Sequence, residues 1–211
     1  MKTKTKALTL ALCAVLLVVT TVFVTMAYLT STTSVVKNTF TYGQVTITLD
    51  EAKVSEYGDV DASANRVTEN TYKLIPGHSY TKDPTVHIDK NSEACYVFVK
   101  VVDEISGTDG IEDSVTVETQ MTNNGWTKLS GVTNVWYYNA VVTSGTIVDT
   151  ATRGTTDGVD LLVFEGFKIK GDADVAAYNG KTITVQAYAV QADNFDTAED
   201  AWEAAPASWS N

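Results

Sequence analysis

The sequence contains few of the residues that build disulfide scaffolds and metal clusters. Among its 211 residues are two cysteines, two histidines and three prolines. Two cysteines and two histidines leave little material for a disulfide framework or a multidentate metal site. Stability must therefore come from an apolar core, and the chain is long enough for one domain with a core of its own.

Positive charge is also scarce. The chain carries 15 lysines and arginines against 26 aspartates and glutamates, for a formal net charge of −11 at pH 7. Nucleic-acid binding requires a basic surface that displaces counterions from phosphates, so this charge argues against it. An acidic chain of this kind is soluble, repels its own copies at low salt and attracts cations.

The N-terminus has the pattern of an export signal. Three lysines within the first six residues precede an uncharged, mostly apolar stretch at residues 7–29. This order predicts a signal peptide over residues 1–27, cleaved between Ala27 and Tyr28. A retained membrane anchor is the alternative, because the apolar stretch is slightly longer than that of an ordinary signal. Both interpretations place the rest of the chain outside the cytoplasm, as a secreted or cell-surface protein.

Cleavage would change both the charge and the cysteine content. The 184 residues that remain keep 12 basic residues against 26 acidic ones, a formal charge of −14. Cys13 would leave with the signal, so Cys95 would have no partner within the chain. Because Cys95 opens an apolar stretch, we expect a buried structural thiol rather than a nucleophile. Export without disulfides is more typical of Gram-positive bacteria than of small animal secreted domains.

The residues after the predicted signal favour strands over helices. They include 26 threonines and 23 valines but only six leucines and one methionine, and β-branched side chains fit a pleated sheet better than a helix. Alternating and continuous apolar runs predict six strands, at residues 45–49, 96–102, 115–118, 135–142, 161–170 and 182–191. The run at 96–102 is apolar except for Lys100 and predicts a central strand covered on both faces. Many short strands without a βαβ rhythm predict an all-β antiparallel β-sandwich or jelly roll.

The C-terminus departs from the strand pattern. Residues 196–199, Asp-Thr-Ala-Glu, resemble a capping box and predict a short helix that ends before Pro206. Trp202 on this helix would anchor it to the sheet.

The sequence carries no recognisable catalytic motif. A zinc peptidase helix needs two histidines one turn apart with a glutamate that activates water, but His78 and His87 are nine positions apart. They are weak candidates for a shared metal site, and unrelated surface positions are the simpler interpretation. No G-x-S-x-G elbow and no glycine-rich phosphate loop is present. We therefore predict no catalytic residue and no enzyme.

Two other features allow both a functional and a structural interpretation. Acidic clusters at residues 103–104, 109–113 and 172–174 have oxygen ligands suited to Ca²⁺ but do not match an EF-hand, so solvated loops are the alternative. The aromatic run Trp136-Tyr137-Tyr138 would suit a sugar platform, or it alternates between the core and the surface of a sheet. Apart from Ca²⁺, the sequence indicates no cofactor.

Two stretches of the sequence together match a family pattern. Residues 24–50 contain VTMAYLT and then NTFTYGQVTITLD, and residues 74–84 read LIPGHSYTKDP. This order resembles the TasA/camelysin family of Firmicutes, whose members share the motifs N-T-F-x-x-G-x-V-x-I-x-L and L-x-P-G-x-x-x-x-K. Those proteins are exported, and a SipW-type signal peptidase cleaves them just before an aromatic residue, which corresponds here to Tyr28.

The resemblance implies both a fold and a role. The fold would be a jelly-roll β-sandwich, and the role that of a structural protein in the extracellular biofilm matrix. Subunits of such fibres assemble head to tail, and the mature N-terminus of one subunit adds a strand to the next. The implied partners are copies of this chain, the signal peptidase and other matrix proteins.

By this resemblance, residues 28–40 are the donor segment. They are uncharged up to Lys37 and contain neither proline nor glycine. The apolar residues that would enter the neighbouring subunit are Leu29, Val35, Val36 and Phe40. The first two lie on one face of a strand and the last two on the other, so donation requires a bulge or a partner that covers both faces. A flexible leader is the alternative.

The sequence thus predicts four segments and leaves two other functions open. The segments are a signal peptide at 1–27, the donor segment at 28–40, a β-sandwich at 41–195, and a short helix with its tail at 196–211. Camelysin relatives are described as surface metallopeptidases, but this chain lacks a zinc motif. A monomeric surface adhesin would instead bind glycans or matrix through a loop at residues 145–158.

Overall fold

The computed structural model describes residues 3–29, 44–90, 92–105, 110–112, 116–142, 158–193 and 195–209. Contacts divide the chain into two compact units, Met1–Thr41 and Tyr42–Asn211. The first unit contains the helix α1, at Thr3–Leu29. Within the described ranges, no helix has both the length and the hydropathy that crossing a bilayer requires.

The second unit is all-β, and its sheets are antiparallel throughout. The described strands are β1 Ile47–Asp50, β2 Ser79–Thr81, β3 Thr85–Ile88, β4 Cys95–Asp103, β5 Trp126–Lys128, β6 Val135–Tyr138, β7 Val159–Leu162, β8 Gly166–Lys168 and β9 Ile183–Gln191. One sheet has the order β1-β3-β7, a second has the order β5-β6-β4-β9, and β2 pairs with β8. The predicted all-β antiparallel class is therefore confirmed.

Short helices connect some of these strands. The α-helices of this unit are α2 at Val117–Asn123 and α3 at Ala198–Trp202, and 3-10 turns lie at Val175–Tyr178 and Ala207–Trp209. Helix α3 is the predicted C-terminal helix, but it begins one residue later than expected and ends at Trp202, three residues before Ala205. Its N-cap is Thr197 rather than Asp196, because the Thr197 hydroxyl accepts a 3.1 Å hydrogen bond from the N–H of Asp200.

The two larger sheets share one core. Val86 on β3 and Val97 and Val99 on β4 are fully buried in the same hydrophobic cluster. A second cluster surrounds Tyr80 and Phe167, and a third lies between β4 and α3. All three clusters are built from residues after position 44, so removing the predicted signal would leave each of them complete.

Strand β4 is the central strand that the apolar run at 96–102 predicted. It pairs with β6 on one side and with β9 on the other. Val97 and Val99 point into the shared core, whereas Tyr96 and Phe98 pack in the cluster beneath α3. Both faces are covered, and for this reason residues 95–99 are continuously apolar rather than alternating.

The strand predicted at 115–118 is wrong where the structure describes it, because α2 begins at Val117. The Thr116 hydroxyl accepts a 3.3 Å hydrogen bond from the N–H of Thr119 and caps the helix. Val117 and Met121 are four positions apart and are both buried in the shared core. The prediction was wrong because Val-Thr-Val alternates as a strand does, while the cap and the helical spacing favour a helix.

The predicted strand at 161–170 is in fact two strands in different sheets. Strand β7 pairs with β3, whereas β8 pairs with β2. Val163 and Phe164, which lie between these strands, are fully buried. The chain therefore stays largely apolar up to the exposed Glu165, and hydrophobicity alone does not show that the sheet changes there. The predicted strand at 135–142 is also shorter, since β6 ends at Tyr138.

We expect Gly166→Ala to destabilise the domain. A Cβ at Gly166 would lie 2.2 Å from the carbonyl oxygen of Tyr80 on the neighbouring strand β2. Relieving that contact requires backbone movement, which should lower the free energy of unfolding by about 1–3 kcal/mol. Gly171→Ala is the matched control, because a Cβ there meets no atom within 4 Å. Urea denaturation followed by tryptophan fluorescence measures both, and equal effects would contradict this reasoning.

Candidate assembly site at an open sheet edge

One side of the shared core is closed by hydrogen bonds from α2 and β5. Gln120 Nε2 donates to the carbonyl oxygen of Gly166 at 2.7 Å, and Gln120 Oε1 accepts the N–H of Glu165 at 2.8 Å. Trp126 Nε1 donates to the carbonyl oxygen of Leu162 at 2.8 Å. These side chains form hydrogen bonds with backbone groups at and just after the end of β7. This end of the three-stranded sheet is therefore held to α2 and β5.

The opposite side of the core has two edge strands. Among the described residues, β1 pairs with β3 alone and β9 pairs with β4 alone. The two edge strands contact each other, and their inward side chains belong to the same core cluster. No backbone hydrogen bond joins them in the described part of the chain. We call the region bounded by β1 and β9 the open side.

Alternate residues of β9 direct their backbone groups toward the open side. The N–H of Ala192 donates to the carbonyl oxygen of Ala94 at 2.7 Å, and the N–H of Glu104 donates to that of Thr182 at 3.1 Å. The even-numbered residues of this strand therefore pair with β4, and the intervening residues point the other way. The residues whose N–H and C=O groups face the open side are Ile183, Val185, Ala187, Ala189 and Gln191.

Strand β1 has the same arrangement over a shorter length. The carbonyl oxygen of Thr46 accepts a 3.0 Å hydrogen bond from the residue after β3, so Ile47 and Leu49 point their backbone groups away from β3. Glu51 continues this alternation and exchanges two hydrogen bonds of 2.8 Å with Val67. On this edge of β1 the backbone groups of Glu51 are paired with Val67. Within the described contacts, the outward backbone groups of Ile47 and Leu49 make no backbone hydrogen bond.

Core side chains on the open side are only half-buried. On β9 these are Ile183, Val185, Ala187 and Ala189, and on the other strand they are Val45, Ile47 and Leu49. By contrast, Val97 and Val99 on the central strand are 0% exposed. The difference marks apolar surface that one further strand would cover.

Strand β9 lacks the devices that usually protect an edge strand. Its sequence is ITVQAYAVQ, with no charge, no proline and no glycine, and its register with β4 is unbroken by a bulge. At about 3.4 Å per residue it presents an edge of about 30 Å. Edge strands in monomeric proteins typically carry a lysine, a proline or a bulge that prevents pairing with other chains. Strand β9 is therefore the best candidate acceptor for a foreign strand.

A cleft of about 1140 Å³ adjoins the Ile183 end of β9. Leu49 and Val185 line it, so the cleft and the open side share a wall. A buried ion pair also lies there, with Lys82 Nζ 2.6 Å from Glu51 Oε2. The open side therefore ends in a cleft of mixed polarity, whose lining also includes Glu56, Glu69, Lys73 and Lys181.

The outer face of the three-stranded sheet carries a polar network that no sequence motif indicated. Arg66 donates to the carboxylate of Asp50 and, at 2.7 Å, to that of Asp83. His87 lies between two carboxylates, with Nε2 2.9 Å from Asp50 and Nδ1 2.5 Å from Asp160. Arg66 belongs to the segment that follows β1, so the network fastens that segment to the sheet.

Stability should fall in acid because of Asp50. Burial opposes ionisation of Asp50, but hydrogen bonds from Arg66 and His87 outweigh it and hold the pKa of this carboxyl below its ordinary value of 3.8. A pKa that is lowered by folding contributes stability above the unfolded value, and that stability is lost as the pH falls through the folded value. We expect the urea midpoint to decrease below about pH 4. Asp50→Asn should remove part of this decrease.

The matched control for this acid effect is Asp172→Asn. Asp172 is exposed in a turn, so its replacement should leave the pH profile of the urea midpoint unchanged. If Asp50→Asn has the same acid profile as the unmodified chain, the network does not contribute the expected stability.

The predicted cleavage and donor residues lie at the end of α1 or outside the described residues. Three are in the last turn of α1, where the backbone alone is described: Ala27, Tyr28 and Leu29. Three lie outside the described residues: Val35, Val36 and Phe40. Cleavage and strand donation therefore stay predictions.

The two histidines have different partners. His78 Nε2 is 2.8 Å from the carbonyl oxygen of Tyr57, and its ring packs edge-on against Tyr80. His87 instead contacts the two carboxylates of the network on the outer face of β3. Within the part of the chain that the structure describes, no three histidine, cysteine or acidic side chains form a group that could hold a metal ion.

Two of the acidic residues proposed for Ca²⁺, Glu104 and Asp174, bind nearby backbone groups. Glu104 Oε2 accepts the N–H of Thr182 at 2.8 Å, and hydrogen bonds from this residue lower the pKa of Glu104. Asp174 Oδ1 accepts the N–H of Ala176 at 3.1 Å and caps a 3-10 turn. These contacts give the acidic side chains local structural roles. The loop predicted at 145–158 lies almost entirely outside the described residues.

The aromatic run on β6 alternates across the sheet. Trp136 is buried in the shared core, whereas Tyr137 packs in the cluster between β4 and α3. Tyr138 packs edge-on against Trp126, with ring centroids 5.4 Å apart. Because neighbouring rings point to opposite faces, the run does not form a single platform.

Cys95 is a buried thiol at the start of β4. It is 0% exposed, and burial raises its pKa to about 11. A thiol of this kind is almost wholly protonated at neutral pH and is a poor nucleophile. The burial agrees with the structural role expected from the sequence.

Comparison with protein-family models, with curated proteins and with solved structures found no match for this chain. A function must therefore be inferred from the sequence and the geometry of the chain itself. The unprotected edge of β9 is the feature of the described residues that most directly indicates an interaction.

Proposed function

We propose that this chain is an exported structural protein of a Gram-positive extracellular biofilm matrix. In this proposal a SipW-type signal peptidase cleaves between Ala27 and Tyr28, and the mature chain folds as a jelly-roll β-sandwich. Its subunits assemble head to tail into fibres when the N-terminal segment of one copy adds a strand to the next. The resemblance to the TasA/camelysin family motivates the proposal.

The observation that carries this proposal is the edge of β9. This strand has no charge, proline or bulge along its nine residues, and its core side chains are only half-buried. An added strand would pair with the outward backbone groups and cover these side chains. Backbone hydrogen bonds would then contribute affinity, and the side-chain pockets would determine register.

Donor and acceptor lie on different parts of the chain, which determines the kind of assembly. The donor is expected at residues 28–40, and the acceptor edge is Ile183–Gln191. Each copy would therefore offer one surface and use another. A heterologous contact of this kind produces an open filament when its rotation does not close a ring.

Electron microscopy of two chain lengths tests the proposal. One chain comprises residues 28–211 and the other begins at Thr41, and all three described core clusters are present in both. We expect filaments from the longer chain and single particles from the shorter one, in negative stain at physiological salt with Ca²⁺. Single particles from both chains would contradict self-assembly and favour a monomeric surface or accessory protein.

A further inference from the structure

We propose that the side chains of Lys82 and Asn70 become joined by an amide bond, with Glu51 as the proton carrier. All three side chains line the cleft that adjoins β9. Lys82 Nζ lies 2.6 Å from Glu51 Oε2, and Asn70 Nδ2 donates to Glu51 Oε1 at 3.0 Å. One carboxylate therefore holds an amine and a carboxamide side by side. The bond would form within a single chain, so it does not depend on assembly.

The three side chains are largely withdrawn from solvent. The side chain of Lys82 is 13% exposed and that of Glu51 is 5% exposed, while Asn70 is partly buried. Tyr72 lies beside them, since burial and the carboxylates of Glu51 and Asp83 raise the pKa of its phenol. A buried ion pair adds little net stability, because removing both charges from water costs about as much as their attraction returns. The burial of this pair therefore favours a chemical role.

Hydrogen bonds hold the carboxamide of Asn70 in the orientation that the reaction needs. The N–H of Val54 donates to Asn70 Oδ1 at 3.1 Å, and Asn70 Nδ2 also donates to the carbonyl oxygen of Ala52 at 2.8 Å. These contacts determine which atom of the carboxamide is oxygen and which is nitrogen. The Val54 N–H polarises the carbonyl and stabilises the negative charge that develops on Oδ1 during attack at Cγ.

The reaction needs no other reactant. Glu51 takes a proton from the Lys82 ammonium, and the lone pair of Nζ attacks Cγ of Asn70. Glu51 delivers that proton to Nδ2 and takes the second proton that Nζ sheds. The bond between Cγ and Nδ2 then breaks, its electron pair leaves with nitrogen, and the ammonia takes up the last proton. An ammonium group and a carboxamide thus become an amide and an ammonium ion, with no change of oxidation state.

The bond would give the domain a cross-link that its cysteines do not supply. Cys13 and Cys95 are both free, and Cys95 is buried. Lys82 directly follows β2, whereas Asn70 belongs to the segment that follows β1. Joining them closes a short loop and fastens this segment to β2, which restricts the unfolded chain as a disulfide does. An amide bond, unlike a disulfide, is not broken by thiols.

Mass spectrometry of the full chain tests for the bond. We expect the denatured chain to be lighter than its sequence by one ammonia molecule. Trypsin should release residues 67–73 joined to residues 74–90, because an acylated Lys82 is no longer cut. Fragmentation of this product should locate the link between Asn70 and Lys82. An unmodified mass, with residues 67–73 recovered as a separate peptide, would overturn the proposal.

Three variants test the role of each side chain. Lys82→Arg removes the nucleophile but keeps a cation beside Glu51, and Glu51→Gln removes the proton carrier but keeps the size of the side chain. We expect both variants to have the full mass of their sequences. Lys73→Arg is the matched control, because Lys73 also lines the cleft but its Nζ contacts Tyr57; it should lose ammonia as the unmodified chain does. A linked product from Glu51→Gln would overturn the role of Glu51.

The position of the loss matters as much as the mass. An asparagine that precedes glycine can also lose ammonia, and Asn124 and Asn179 both precede glycine. A loss that maps to either of these residues, with residues 67–73 unlinked, would overturn the proposal. None of these results depends on filament formation, so the bond and the proposed function stand or fall separately.

Discussion

Filaments should disappear when Ala187 is replaced by proline, while the monomer should remain folded. The N–H of Ala187 faces the open side and makes no hydrogen bond to β4 (its neighbours in sequence make those bonds). Proline therefore removes a donor that an incoming strand needs and leaves the existing ladder complete. Because strand addition depends on main-chain hydrogen bonds, negative-stain images of residues 28–211 carrying Ala187→Pro should show single particles.

The matched control lies one residue earlier. Gln186 pairs with Lys100 on β4, so Gln186→Pro removes a hydrogen bond inside the sheet and should strongly destabilise or unfold the domain. Circular dichroism and urea denaturation distinguish this unfolding from the selective loss of assembly expected for Ala187→Pro. Filaments of normal length from Ala187→Pro would show that β9 is not the acceptor edge.

The second large effect is expected at Arg66. This side chain is 15% exposed and contacts the carboxylates of Asp50 and Asp83, which are 27% and 25% exposed. Arg66→Met keeps an unbranched apolar stem but removes the guanidinium, which leaves two partly buried carboxylates without their cation. Removing one partner of a buried ion pair typically costs 3–5 kcal/mol. Because these groups are partly exposed, we expect a loss of about 2–3 kcal/mol in the free energy of unfolding, measured by urea denaturation.

A surface ion pair provides the comparison for Arg66. Lys128 Nζ lies 2.7 Å from Glu118, but the two side chains are 51% and 67% exposed. Exposed pairs contribute little, so Lys128→Met should change the free energy of unfolding by at most about 1 kcal/mol. Equal losses for the two variants would mean that the network around Arg66 does not hold its segment on the sheet.

Much of the fold class follows from local patterns in the chain. The many valines and threonines, together with the apolar run at 96–102, predicted an all-β protein with a central strand, and β4 is that strand. These predictions succeeded because side-chain branching and burial on both faces are properties of a short segment. The capping signal before α3 succeeded for the same reason, since a helix cap needs only neighbouring residues.

Other predictions failed where local patterns are ambiguous. Val-Thr-Val before Met121 alternates as a strand does, yet Thr116 caps a helix there. The run at 161–170 reads as one strand because Val163 and Phe164, two of the three residues between β7 and β8, are as buried as the strands themselves. The first failure is local, because the cap and the helical spacing are present in the sequence. The second depends on pairing with distant strands, which the hydrophobic pattern does not contain.

The candidate site was the least predictable part. The sequence ITVQAYAVQ has no charge, and this absence was a signal that β9 does not avoid pairing. An uncharged sequence is also typical of a central strand, however. The absence of charge therefore indicates an unprotected edge only when the strand order shows that β9 is an edge strand. The outer-face network is equally non-local, because it joins Arg66 to residues as far apart in sequence as Asp50 and Asp83, and His87 to Asp160.

The sequence by itself determined the acidic charge, the scarcity of cysteine and histidine, the all-β class and the central apolar strand, because each depends on composition or on a few consecutive residues. The tertiary structure was needed to show that β9 and β1 are edge strands, that their core side chains are only partly buried, and that a cleft lies at one end. The physical reason is that a strand becomes an edge through the pairing of segments far apart in the chain. Register and strand order are therefore properties of the folded sheet.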